Sequence, residues 1–178
     1  MCSWWIKSIY IHSRSNLYDN PSRYKGTDWA STASPSDDND NGGVHSNSGV
    51  QNHFFYLLSE GGNGFNDGLE YEPFEGIGVE KAAQLAYRAL TVYCRPRTDY
   101  GDIAAGWMSA AADLAASDVI TAEDAEKVDR AWNAVLSTPD IDIQFSDAPV
   151  CVMEGDTATV VILNRLLRVI KQNLKRMN

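Results

Sequence analysis

The stretch DNDNGGVHSNSG, Asp38 to Gly49, gathers acids, amides, glycines and one histidine just ahead of a strongly apolar run. Histidine changes charge near neutral pH without any perturbation, so His45 is a candidate for acid–base, hydrogen-bonding or metal chemistry. Three roles are open to it on residue types alone. In the first it caps or packs on the helix that comes after it. In the second it sits in a calcium loop, because Asp37, Asn39, Asn41 and Gly42 fit the start of an EF-hand. Ser48 then stands where that loop needs a bidentate glutamate, and no helical pattern precedes it. An EF-hand is excluded; a looser ion site is not. The third role is zinc, which takes three or four ligands. The histidines are His12, His45 and His53, and H-E-x-x-H occurs nowhere. No residue of this chain is assigned as a metal ligand.

The elements that must position His45 are mostly helical. Residues 14–43 are rich in Ser, Asn, Asp, Pro and Gly and read as one long loop of successive turns. Loops of that length in compact domains usually carry function. A helix is predicted from Ser48 to Ser59, stopped by Gly61 and Gly62. A Gly- and acid-rich insert comes next. The second helix runs from about Val79 to Tyr93, with Val79, Ala82, Ala83, Ala86, Leu90 and Tyr93 on one face. The third covers about Tyr100 to Ala116, with Ile103, Trp107, Ala111, Leu114 and Ala115 inward. The fourth opens at Thr121, with Asp124 closing a capping box, and turns Ala125, Val128, Trp132 and Val135 to one side. Pro139 to Met153 reads as irregular or extended, and IDIQF alternates in the strand sense. A last helical pattern, about Ala158 to Lys175, is apolar at Val160, Leu163, Leu167, Ile170 and Leu174 and basic at its end. The fold class is therefore mainly α, a bundle of four to five helices behind a long loop. His53 reads as a surface or packing residue, and Trp107 and Trp132 as core.

A chain of 178 residues with 44% apolar and 22% charged content can bury a real core. Its net charge is −9. Five basic residues and no acid lie from Arg165 onward, so the rest carries −9 − 5 = −14. An acidic body argues against nucleic acid as a partner. Cys2, Cys94 and Cys151 form neither C-x-x-C nor zinc-ribbon spacing, so a disulfide framework is not expected. There is no apolar run long enough for a membrane helix. The start, MCSWWIKSIYI, lacks the basic region and cleavage site of a signal peptide.

The longer stretch DNGGVHSNSGVQNHFFYLLSEGG resembles the segment of thermolysin-like neutral zinc metalloproteases that carries a catalytic histidine, N-G-G-V-H-x-N-S-G with a helix and a double glycine after it. Asn41, Gly42, Gly43, Val44, His45, Asn47, Ser48 and Gly49 meet every fixed place. The likeness continues through GIGVEKAAQLAYRALTVY, YGDIAAGWMSAAADL and AEKVDRAWNAV, covering roughly residues 16 to 136. In that family zinc polarises the peptide carbonyl and a glutamate activates water. The resemblance implies that His45 donates a hydrogen bond to the oxyanion of the tetrahedral intermediate. It implies that Asp40, five residues earlier, holds the ring. Asn47 and Ser48 are expected to start the helix behind the site, a side-chain oxygen meeting a free N–H. Glu70, Glu72 and Glu75 are candidate calcium holders or a solvated acidic loop. An extracellular location is implied too.

The family's first lobe has no counterpart here, and with it go the zinc ligands and the water-activating glutamate. Zinc is the cofactor of the complete enzyme, with its ligands on that missing lobe, which would be this chain's partner beside a peptide or protein substrate. The chain alone is expected to be inactive. The family's substrate-contacting arginine would fall at Tyr10, and Arg14 is a substitute only if the chain is gapped. Residues 1–13 look like unrelated sequence joined to the lobe, as a truncated or shifted reading frame would give. The expected organisation is thus an atypical start at 1–13, a helical peptidase lobe at 14–138, and an extension at 139–178. The rival reading is a non-catalytic helical module that binds a partner or an anionic membrane through residues 158–178.

Overall fold

The computed structural model describes residues 20–136. The atypical start, Arg14, and the extension at 139–178, with the basic helix expected there, lie outside them. Four helices form the body: α1 (Gly49–Glu60), α2 (Val79–Arg88), α3 (Tyr100–Ala116) and α4 (Ala122–Leu136). The bounds follow from local chemistry. Gly61, with φ of 98°, ends α1. The Asp99 side chain caps α3 by accepting from the Asp102 N–H. The capping box at α4 is reciprocal. Thr121 N donates to Asp124 Oδ2 and Asp124 N to Thr121 Oγ1, both at 3.0 Å. Asp124 is buried, and Lys81 of α2 meets its carboxylate at 2.7 Å.

The core lies between the four helices. The Phe54 ring stacks on Trp132 with centroids 3.8 Å apart. Trp107 meets Phe54 edge-on at 4.8 Å. Such pairs add about 0.5–1.5 kcal/mol beyond their buried area. Val50, Leu58, Leu85, Val128 and Val135 fill in around them, fully buried. The predicted roles of Trp107 and Trp132 as core residues hold.

Two expectations change. The buried stripe of α2 runs through Ala82 and Leu85 to Ala89, while Ala83 and Leu90 face outward. Leu85 is fully buried, while the identical side chain of Leu90 is 66% exposed. Beyond Arg88 the chain widens into a π-turn, Ala89–Tyr93, closed by Cys94 N to Ala89 O at 3.0 Å. That wider turn brings Tyr93 onto Asp113 of α3, where its hydroxyl donates at 2.6 Å beside the Arg88 guanidinium.

The insert between α1 and α2 is also more ordered than a loop. Strands β1 (Gly61–Gly62) and β4 (Phe74–Glu75) pair antiparallel, as do β2 (Phe65–Asn66) and β3 (Leu69–Glu70). Asp67 and Gly68, with φ of 46° and 80°, form the two-residue turn between β2 and β3. Asn66 is buried and donates to Ala134 O of α4 at 2.9 Å and Ser22 O at 3.1 Å. The hairpin thereby ties the first described loop residues to the helical body.

Candidate functional site

The long loop before α1 reaches the body through aromatic rings and backbone bonds. Tyr24 N donates to Val135 O at 2.8 Å. The Tyr24, Trp29 and Tyr100 rings meet pairwise with centroids 4.9 to 6.0 Å apart. Arg23 pairs with Asp67 at 3.1 Å, and Thr27 N donates to the same carboxylate. Asn39 then organises the next turn. Its Oδ1 accepts from Ser36 N at 2.8 Å and Gly42 N at 3.0 Å. Its Nδ2 donates to Ser31 O and Ala33 O, both at 3.2 Å.

The backbone turns left-handed at Asp40. Asp40, Asn41, Gly42 and Gly43 have φ of 55°, 50°, 82° and 79°, and Val44 N donates to Asp40 O at 3.0 Å. L-residues are sterically strained in this region, with Asp, Asn and Gly strained least. The sequence D-N-G-G is thus the composition such a turn requires. At Gly43 a Cβ would also run into the Asn47 carboxamide.

The turn folds Asp40 back under His45. The Asp40 carboxylate accepts from Ser46 N and His45 N, each at 2.8 Å, and from Ser46 Oγ at 2.9 Å. Its other oxygen lies 2.6 Å from His45 Nδ1. The Ser46 N–H above all, with the His45 ring and N–H, holds this carboxyl well below the usual carboxylate range. An ionised carboxylate can only accept, so Nδ1 carries a hydrogen. The His45 side chain is 87% exposed. Nε2 forms no hydrogen bond among the described residues, so the ring's far edge is free to meet a ligand. With Nδ1 committed to Asp40, Nε2 is an acceptor in the neutral ring and a donor in the imidazolium.

The expected helix start is corrected here. Neither Asn47 nor Ser48 caps α1 with a side-chain oxygen. Asn47 is buried, and its carboxamide closes a two-way bond on Ala30, accepting from N at 2.9 Å and donating to O at 3.0 Å. Ser48 Oγ donates to His45 O. Tyr100 Oη donates to Asn47 O at 2.7 Å, and burial pushes that hydroxyl up to about 12, so it remains a donor. Sequence reasoning gives no role to Ser46, and places Asn39 only in an EF-hand start that it then excludes. The only signal for them is their spacing around Asp40, which has meaning once the turn is known to be left-handed.

His53 is a packing residue, as expected. Its ring stacks on Tyr56, and burial lowers it to about 4, so it is neutral at pH 7. Glu70, Glu72 and Glu75 are exposed on the insert, and Glu72 lies 3.5 Å from Arg130.

The family described as "Thermolysin metallopeptidase, alpha-helical domain" matches residues 11–136. The chain belongs to this thermolysin metallopeptidase family. Thermolysin of Alicyclobacillus acidocaldarius subsp. acidocaldarius is 41% identical over 96 residues, 54% of this chain and 16% of that protein. A zinc metalloproteinase of Renibacterium salmoninarum is 48% identical over 73 residues, 40% of this chain and 12% of that protein. The neutral protease NprE of Bacillus pumilus is 35% identical over 130 residues, 73% of this chain and 35% of that protein. The chain thus spans about an eighth to a third of the length of these relatives. Complete thermolysin-like enzymes carry zinc. Among the described residues no three His, Cys, Asp or Glu side chains come together, and His45 offers one nitrogen. This donor set does not fit a zinc or calcium site.

Proposed function

We propose that this chain is the C-terminal helical lobe, residues 14–138, of an extracellular thermolysin-like endopeptidase. His45 is its transition-state donor and Asp40 the residue that positions it. The observation that carries the reading is the Asp40–His45 pair. A carboxylate locked by Ser46 fixes the ring through Nδ1 and leaves Nε2 pointing into solvent. Attack on a peptide carbonyl leaves an oxyanion, and a pre-aimed N–H at that oxygen is strongest where the charge develops. The ring does this as imidazolium, donating through Nε2 while Nδ1 stays on Asp40. Water activation and metal binding belong to a lobe outside this chain. The peptide substrate binds between the two lobes, and this chain alone hydrolyses none.

The test is a graft. Residues 20–136 replace the matching span in a relative such as the Bacillus pumilus neutral protease. The graft is expected to cleave peptides. His45→Ala should lower kcat by about 100-fold or more with little change in KM, the loss seen when one oxyanion donor is removed. The 178-residue chain, supplied with zinc, should show no cleavage. A graft whose kcat is indifferent to His45→Ala overturns the role, and peptidase activity in the chain alone overturns the division of labour.

A further inference from the structure

The left-handed turn holds a second piece of chemistry, which does not depend on the peptidase reading. Asn41 is followed by Gly42, the neighbour that least hinders attack of its backbone nitrogen on a side-chain amide. Asn41 is exposed to water. Its ψ is 43°, which sets the Gly42 nitrogen on the far side of the Cα–C bond from Cβ. Closing a five-membered ring needs those two atoms eclipsed. The Gly42 N–H is meanwhile donated to Asn39 Oδ1 at 3.0 Å. Asn39 is itself fixed by Ser36 N, Ser31 O and Ala33 O. A reactive dipeptide is thus held in a backbone conformation where it cannot react.

We propose that Asn41 is a spontaneous deamidation site kept shut by Asn39, and that its conversion to isoaspartate releases His45 from Asp40. When the turn opens, the Gly42 nitrogen attacks Asn41 Cγ. A new N–Cγ bond forms, the Cγ–Nδ2 bond breaks, the Gly42 proton leaves with the amide, and ammonia departs. Water then opens the succinimide at either carbonyl, giving aspartate or isoaspartate. No oxidant or further reactant is needed. Isoaspartate adds a methylene to the main chain between Asp40 and Val44, inside the loop closed by Val44 N on Asp40 O. A turn that runs through a longer backbone no longer brings the Asp40 carboxylate under the His45 ring. The neighbouring Asp40 and Ser46 contacts are then lost together.

The experiment tracks the full chain at pH 8 and 37 °C by peptide mass and by isoaspartate-specific methyl transfer on the peptide containing 41–42. The folded chain should convert at least about tenfold more slowly than the chain in urea, because reaction waits on local opening. Asn39→Ala, checked for folding by circular dichroism, should convert several-fold faster than the parent. As isoaspartate accumulates, the His45 Nδ1–H signal in the proton spectrum should fade in step. Equal rates for folded and urea-unfolded chain, or a folded Asn39→Ala with the parental rate, overturn the guard. A His45 signal that persists in the separated isoaspartate form overturns the link to His45. If Asn39→Ala does not fold, hydrogen exchange at the Gly42 amide of the parent decides. Strong protection is expected, and free exchange defeats the proposal.

Discussion

The helical body and the loop that carries His45 are held together by opposite means. In the body, Phe54, Trp107 and Trp132 interlock and are backed by fully buried Val50, Leu58, Leu85, Val128 and Val135. In the loop from Asn20 to Ser48, buried apolar side chains are few, and the shape is written in side-chain-to-backbone bonds from Asn39, Asp40 and Asn47. Apolar burial is strong but non-directional. It decides where helices lie and cannot aim an exposed ring. Hydrogen bonds are weak net contributors but directional, and they cost most when one partner is left unpaired. The loop therefore holds an 87% exposed imidazole in one orientation.

Trp132→Ala should show the largest effect. It removes the stack on Phe54 and leaves a cavity, at a cost of about 3–5 kcal/mol, read from the urea midpoint. If the loss is under about 1 kcal/mol, the aromatic layer is not the keystone of the body. Acid comes next. His53 is held down to about 4 by burial, against about 6.5 in an unfolded chain. Between those values the unfolded chain binds a proton that the folded chain refuses, so stability falls as pH drops through that window. The loss is at most about 3 kcal/mol at its lower end. His53→Phe should flatten this slope. A slope unchanged in that variant would move the acid sensitivity elsewhere. The carboxylate of Asp40, lowered by its hydrogen bonds, makes its loss only at more acid pH.

Asn47→Ala should cost about 1–3 kcal/mol, because Ala30 N and O lose their partner in a half-buried place. Its more telling sign is local: amides near Ala30 should exchange faster while those of α3 and α4 stay protected. Uniform acceleration would mean that loop and body unfold as one unit. Asp40→Asn should leave the urea midpoint almost unmoved, yet raise exchange at the His45 and Ser46 amides. A large fall in global stability would erase the contrast between the two regions.

Much of the body is legible in the sequence because its signals are local. The α3 limits follow from the apolar spacing between Tyr100 and Ala116, and the α4 start from Thr121 and Asp124 three residues apart. The α2 stripe is not, because apolar spacing cannot tell Leu85 from Leu90; packing chose Leu85. The Asp67–Gly68 hairpin stands in plain view as a two-residue turn signal, masked by the acidic insert around it. Within the site, the residues of the D-N-G-G-V-H run are legible as a pattern. The job of Asn47 is not. An asparagine just before a helix ordinarily caps it, and here Ala30, seventeen positions earlier, takes the carboxamide instead.

By itself the sequence determined the α3 limits and the α4 capping box, because propensity and capping act over a few neighbouring residues. It also carried the family pattern that marks His45. The tertiary structure alone decided which face of α2 is buried, how the loop docks through Tyr24 and Asn47, and that Asp40 accepts four hydrogen bonds on its way to orienting His45. Those outcomes depend on which groups meet across the fold. Burial and hydrogen-bond pairing between distant residues are settled only when the whole chain has closed.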